Sequence, residues 1–184
     1  MTRVSVSLFA VFVTVVALGV PAQGAAAAPT PPQDFVVGGG DASGSFLTFA
    51  IDARSDPLGG TPSGVVSGTL FVGPAPGSFA FPVSCLAVHG DRAVIGAGPL
   101  WLVVVDNGPA GSPPDAFVGS LGPTDCSSEP PGQFGGSLLS GDIVVRDAPS
   151  KAQCRDGGWR NYTDATGQPF STQGECIAFA LGAG

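Results

Sequence analysis

Few side chains in this sequence are suited to chemistry. His89 is the single histidine of 184 residues, and histidine alone has an ordinary titration near neutrality. It stands in Val88-His89-Gly90-Asp91, between two apolar runs where Gly and Asp mark a tight hairpin, so it reads as an exposed turn residue. A Ser-His-Asp arrangement would have to use it, and no G-x-S-x-G elbow marks a serine as nucleophile. Glycoside hydrolysis needs only two carboxylates. Of the two glutamates, Glu129 lies in a Ser-Ser-Glu-Pro-Pro loop and Glu175 fits a helix cap, while Asp91, Asp106 and Asp115 sit where Asp serves turns. Asp106, Asn107 and Asp115 border one long loop and have the oxygen chemistry of calcium ligands, but their spacing matches no EF-hand, and they read as solvated turn residues. No residue is therefore assigned to catalysis, to a cofactor or to a metal. Trp159, after Gly157-Gly158, is the candidate ligand contact, able to stack on a sugar or a protein partner, but the favoured reading is that it plugs the small core of a clipped element.

The cysteines Cys85, Cys126, Cys154 and Cys176 carry the remaining chemistry. Zinc is disfavoured, because there is no C-x-x-C pair and only one histidine. An even number in an exported chain points to disulfides. Of the three pairings, sequence proximity favours Cys154 with Cys176, leaving Cys85 with Cys126.

Export is read from residues 1–28. Arg3 precedes an apolar run from Leu8 to Val20, then Pro21 and small residues through Ala28, the layout of a cleaved signal peptide. The run is short of the roughly 20 residues a spanning helix needs, and no second stretch approaches that length. Cleavage leaves about 156 residues, enough for one domain with a core, with 6 basic against 14 acidic side chains. That balance argues against nucleic acid or an anionic membrane as partner.

The mature chain is expected to be turn-rich. Gly (29) and Pro (18) make up about a quarter of the sequence, yet 43% of residues are hydrophobic and only 11% charged, unlike a disordered chain. Pro29 to Pro32 and Gly38-Gly39-Gly40 read as a linker over 29–40, the glycines lacking the Lys and helix of a phosphate cradle. Seven β-like runs follow: 46–53, 65–72, 79–88, 92–95, 100–106, 116–121 and 142–147. In the first, Leu47, Phe49, Ile51 and Ala53 share one face. In the third, odd positions from Phe79 to Ala87 form the apolar face, and Pro82 hints at an edge or bulge. Leu100 to Val105 is apolar throughout, as in a strand covered on both sides. This pattern predicts an all-β antiparallel β-sandwich over 41–149, a jelly roll being one form.

Residues 150–184 change character. Ser150 can cap a turn through Cys154, and Thr172-Gln173-Gly174-Glu175 matches a capping box before an apolar run. A disulfide-clipped element with one or two short helices is expected.

Three stretches carry a family likeness: Val83 to Gly96, Val105-Asp106-Asn107-Gly108, and the tail Cys154-Arg155-Asp156-Gly157-Gly158-Trp159-Arg160-Asn161-Tyr162 with Gln173-Gly174-Glu175-Cys176-Ile177-Ala178-Phe179. They resemble secreted actinobacterial proteins of uncharacterised function, whose tail looks like C-x-x-G-G-W-[RK] followed by Q-G-x-C. Arg155-Asp156 and His89 depart from the usual pattern. The resemblance implies export and a β-domain, without an activity, a ligand or catalytic residues. Taken together, the sequence predicts a secreted, non-catalytic binding or surface-interaction module with an extracellular glycan or protein partner. The alternatives are a secreted hydrolase acting on glycans through Asp carboxylates, and a protease inhibitor with a rigid loop near Cys85 or Cys126.

Overall fold

Eight strands run alternately up and down and close on themselves: β1 (Asp34–Ala42), β2 (Leu47–Ser55), β3 (Ser63–Leu70), β4 (Gly77–His89), β5 (Arg92–Ala97), β6 (Leu100–Val105), β7 (Ala116–Leu121) and β8 (Phe134–Arg146). The computed structural model describes residues 32–182 apart from 43–45, 72–74, 110–111, 124 and 130; the expected signal peptide lies outside the described residues. Every neighbouring pair is antiparallel, and β8 returns to pair with β1.

The all-β antiparallel expectation therefore holds, and the sandwich is corrected to a closed barrel. The cause lies in two glycine-rich strands. Residues 34–40, read as the end of a flexible linker, form most of β1, and β8 begins at Phe134, eight residues before the run read at 142–147. These two strands close the barrel. Without them the other strands look like an open stack.

The glycines are required by the closure itself. A Cβ on Gly38 would lie 2.1 Å from the Asp142 carbonyl oxygen, one on Gly40 1.9 Å from that of Ser140, and one on Gly39 2.1 Å from that of Phe49. At Gly39 the backbone also adopts φ 143, which side chains rarely tolerate. At Gly38, Gly39 and Gly40 β1 is thus squeezed between β8 and β2 with no room for side chains, as at a barrel corner. Just beyond, the Asp41 carboxylate ties the three strands together on the outside, accepting bonds from the Thr48 hydroxyl (2.7 Å) and the Ser140 hydroxyl (2.8 Å). Those bonds, Thr48's first, hold the Asp41 carboxyl below the usual carboxylate range.

Parity decides which side chains face inward. β2 alternates throughout, with Leu47, Phe49, Ile51, Ala53 and Ser55 buried. β4 does not: its register shifts between Val83 and Cys85, so Phe79, Phe81 and Val83 face inward, and beyond the bulge Leu86 and Val88 do. The single apolar face expected from Phe79 to Ala87 is broken there, and Cys85 is turned to the outside. β6 is covered on both sides as expected, Leu102, Val103 and Val104 all being buried. The β4–β5 hairpin turns through Gly90-Asp91, Gly90 supplying φ 64.

The C-terminal element has its own small core of Cys154, Phe170 and Cys176, with Trp159, Tyr162, Ile177 and Phe179 packed on it. Ser150 and Gln153 cap each other: the Gln153 N–H reaches the Ser150 hydroxyl, and the Ser150 N–H reaches Gln153 Oε1. A 3₁₀ turn follows at Gly158–Asn161, then helix α1 (Gln173–Ala180) behind the expected Thr172–Glu175 capping box. Cys154 is joined to Cys176, and Cys85 to Cys126, the pairing that proximity favoured.

Replacing Gly39 with Val should cost at least about 3 kcal/mol, read by urea unfolding. Gly77→Ala, where a Cβ meets nothing within 4 Å, should stay within about 0.5 kcal/mol of the parent; equal effects would mean the seam does not require glycine.

Candidate functional site

An eight-stranded barrel is wide enough either to fill its interior or to hold one small ligand. This one does both. Toward the end where β1 and β8 tie to the C-terminal element, Val36, Ala53, Val88, Ala93, Val104, Phe117 and Ile143 pack the interior. Toward the other end, at the β1–β2, β3–β4, β5–β6 and β7–β8 connections, a cavity of about 450 Å³ remains.

Its wall is entirely hydrophobic: Phe46, Phe49, Phe79, Phe81 and Phe134, with Leu47, Val66, Leu70, Pro99, Leu100, Leu102 and Leu121. Several of the rings lie against glycines. In one row, Gly40, Phe49, Gly68 and Phe79 pair in sequence across β1 to β4. In another, Gly119 of β7 pairs with Phe134 of β8. A Cβ on Gly68 would lie 2.8 Å from the Phe79 ring, one on Gly119 2.3 Å from the Phe134 ring, and one on Gly98 2.9 Å from the Phe81 ring. The Phe79 and Phe134 rings thus cover strand glycines, as aromatic side chains do when they shield them, and the Phe81 ring lies against Gly98 of the β5–β6 turn. At the rim Leu70 (40%), Phe71 (51%) and Leu121 (61%) are exposed, so the apolar lining continues to the outside.

The connection after β7 positions one side of this rim. Residues 122–133 leave from Leu121 and return at Phe134, both in the cavity wall. The Gly122 N–H donates to the Pro99 carbonyl and the Gln133 N–H to that of Gly119, fixing both roots. Between them the segment is held on the outside of the barrel by Cys126–Cys85. It is held again by a bidentate pair in which Arg92 Nε and Nη2 donate to Glu129 at 2.7 and 2.6 Å. That bonding holds the Glu129 carboxyl below its ordinary range. Outward-facing Val94 and Val103, paired across β5 and β6, are buried between these anchors. The bulge that turns Cys85 outward makes this strap attainable.

Asp106 and Asp115, whose oxygen chemistry would suit calcium, have another task. β7 pairs with β8 only as far as Ser137. Beyond it, Asp115 Oδ2 accepts from the Ile143 N–H (2.7 Å) and Asp106 Oδ2 from the Val145 N–H (3.1 Å). Their other oxygens take the Asn107 and Gly108 N–H groups. The two carboxylates stand in for a missing strand edge. Among the described residues no three His, Cys, Asp or Glu side chains converge as metal ligands.

A second polar group lies at the closed end. Asp34, 2% exposed, accepts the Ala148 N–H, and Asp147 accepts that of Gly90, tying the β4–β5 hairpin and the chain after β8 to the barrel. Burial pushes Asp34 up to about 7 against the opposing Ala148 bond, with Asp147 and Asp56 adding to the rise. Burial raises Asp147 as well. So little of Asp34 is exposed that no substrate can reach it without opening that end.

His89 ends β4, exposed, as expected. Trp159 packs against the Cys154–Cys176 cluster and carries the Arg160 guanidinium 4.4 Å over its ring. Neither residue reaches the cavity. Leu47, Phe49, Phe79, Phe81 and Leu100 are legible in the sequence as apolar strand residues, but that they line a cavity is not, because glycine–phenylalanine pairing depends on strand register; the available signal is an aromatic content of 12 Phe against 2 Trp and 1 Tyr. No protein-family model, curated protein or solved structure matches this chain.

Replacing both Cys85 and Cys126 by Ser should cost about 4 kcal/mol in the chain-entropy account of their 41-residue separation. It should also speed amide exchange at Val94 and Val103; unchanged exchange there would mean that the strap does not cover them. For Asp34 the folded pKa lies above the unfolded 3.8, so its stabilising contribution is full below that value and is lost as pH rises through about 7. Between about pH 5 and 8 the parent should lose on the order of 2 kcal/mol. Asp34→Asn should flatten that slope; parallel pH profiles of the two proteins would reject the assignment.

Proposed function

We propose that this is a secreted, non-catalytic binding protein whose barrel holds one small apolar molecule. The observation that carries this reading is the roughly 450 Å³ cavity with a wholly hydrophobic wall, open at a rim of exposed Leu70, Phe71 and Leu121. Apolar pockets in barrel mouths are common ligand sites. The glycines that seat the phenylalanines keep the space clear, and the strap fixes one side of its entrance. Two disulfides, with no helix among the described residues long and apolar enough to cross a membrane, are compatible with the extracellular setting that the leader implies. The likeness to secreted actinobacterial proteins accords with that setting. Glycan stacking on Trp159 receives less support, since that ring is engaged by the small core and Arg160. Hydrolysis through Asp106 or Asp115 is likewise less supported, because their carboxylates hold β8. One observation favours a second reading, protease inhibition: the largely exposed strap is anchored by a disulfide and an ion pair. A protease panel that retains full activity would remove it.

A ligand of modest size held by such contacts alone should bind with a dissociation constant on the order of 1–100 μM. A neutral hydrophobic dye should therefore show saturable fluorescence enhancement with the purified protein. Leu121→Glu, at a position 61% exposed, should weaken dye binding at least about tenfold while leaving the melting temperature within about 2 °C of the parent. Unchanged dye affinity would place the dye elsewhere.

A further inference from the structure

We infer that the cavity takes neutral apolar molecules and discriminates against anionic ones, free fatty-acid carboxylates included; this deepens the proposed ligand binding and rests on it. The observation is the placement of positive charge. Arg54 is the penultimate residue of β2, Arg92 begins β5 and Arg146 ends β8, all at the closed end of the barrel. Lys151, Arg155 and Arg160 follow in the C-terminal element, which the Arg146 guanidinium joins through the Asp164 carbonyl. Among the described residues, then, every cation is remote from the mouth. The wall itself offers no polar side chain.

Carboxylate recognition relies on charged, preferably bidentate donors. An anion entering this cavity would leave water without gaining such a partner, a desolvation that nothing repays. The charge nearest in strand position is Asp41 near the end of β1, and the chain as a whole carries 14 acidic against 7 basic residues, so the surrounding field also opposes an anion. A neutral molecule can be taken in whole at the far smaller cost of burying one hydroxyl or ester, whereas an acid must keep its carboxylate in water at the rim and so leaves part of its chain outside the cavity. The size is bounded too. An apolar cavity of about 150 Å³ accommodates one benzene, so this space suits a single chain or fused-ring skeleton of about 18 heavy atoms.

The test displaces the neutral dye with three matched probes of about 14 carbons, a primary alcohol, a methyl ester and the free acid, at about pH 8. Alcohol and ester should compete alike, with the acid at least about tenfold weaker. Leu121→Arg puts a cation at the rim and should improve the acid at least about tenfold without improving the alcohol. An acid that matches the alcohol on the parent overturns the selectivity while leaving ligand binding standing. A weak acid that Leu121→Arg does not improve overturns the electrostatic cause. Failure of dye, alcohol and ester alike overturns the binding proposal, and the selectivity with it.

Discussion

The structure depends on one backbone contact, the closure of β1 against β8. It is made where β1 is nearly all glycine, with Gly38, Gly39 and Gly40 so close to neighbouring carbonyls that any Cβ would come within about 2 Å of an oxygen. Only this approach turns eight strands into a tube rather than an open sheet with two unpaired edges. Once it is made, every strand acquires an inside and an outside, and the alternation of hydrophobic residues along β2 gains a lumen to face. The seam also brings glycine into the rows that cross the interior. Gly40 and Gly68 flank Phe49, so the requirement that closes the barrel also leaves space beside an aromatic ring.

A second constraint follows from closure. A tube has an outer surface that must be covered where it is apolar, and β5 and β6 are apolar on both faces. The chain meets this with the strap after β7, which needs an attachment point on the outside of β4. Continuous alternation from Phe79 would have aimed Cys85 into the lumen. The bulge after Val83 reverses the parity, so one irregularity supplies both the exterior cysteine and the interior Leu86 and Val88.

Much of this was legible in the sequence where side chains carry the signal. The alternation in β2, the doubly covered β6, the Gly90 hairpin, the Thr172–Glu175 cap and both disulfides follow from residue type and spacing. What local sequence does not reveal is carried by glycine or by register. Gly38-Gly39-Gly40 has the composition of a linker, and nothing in the local sequence distinguishes a glycine that is free from one compressed between two strands. The pairing of Gly119 with Phe134 spans a loop of twelve residues and becomes visible only when β7 and β8 lie side by side. Asp106 and Asp115 do lie at turns as expected, but their bonds go to β8, some thirty to forty residues away.

The cavity is also a cost. Unfilled apolar space forfeits packing contacts, and a barrel that completed its interior with larger side chains would be the more stable one. The glycines show which emptiness is forced and which is separate from the seam. At Gly40 a side chain is forbidden by the Ser140 backbone, so the absence of bulk there is a by-product of closure. At Gly119 the nearest atoms are all side-chain atoms, from Phe134 and Leu102, and the backbone would admit a larger residue if the ring moved. Glycine at 119 therefore serves the placement of Phe134 against the wall. Stability is recovered elsewhere, through two disulfides worth about 3 to 4 kcal/mol each in the chain-entropy account, both located outside the lumen. A fold that keeps its interior partly open and supports itself from the outside is one in which the open space, rather than the scaffold, is the feature to explain.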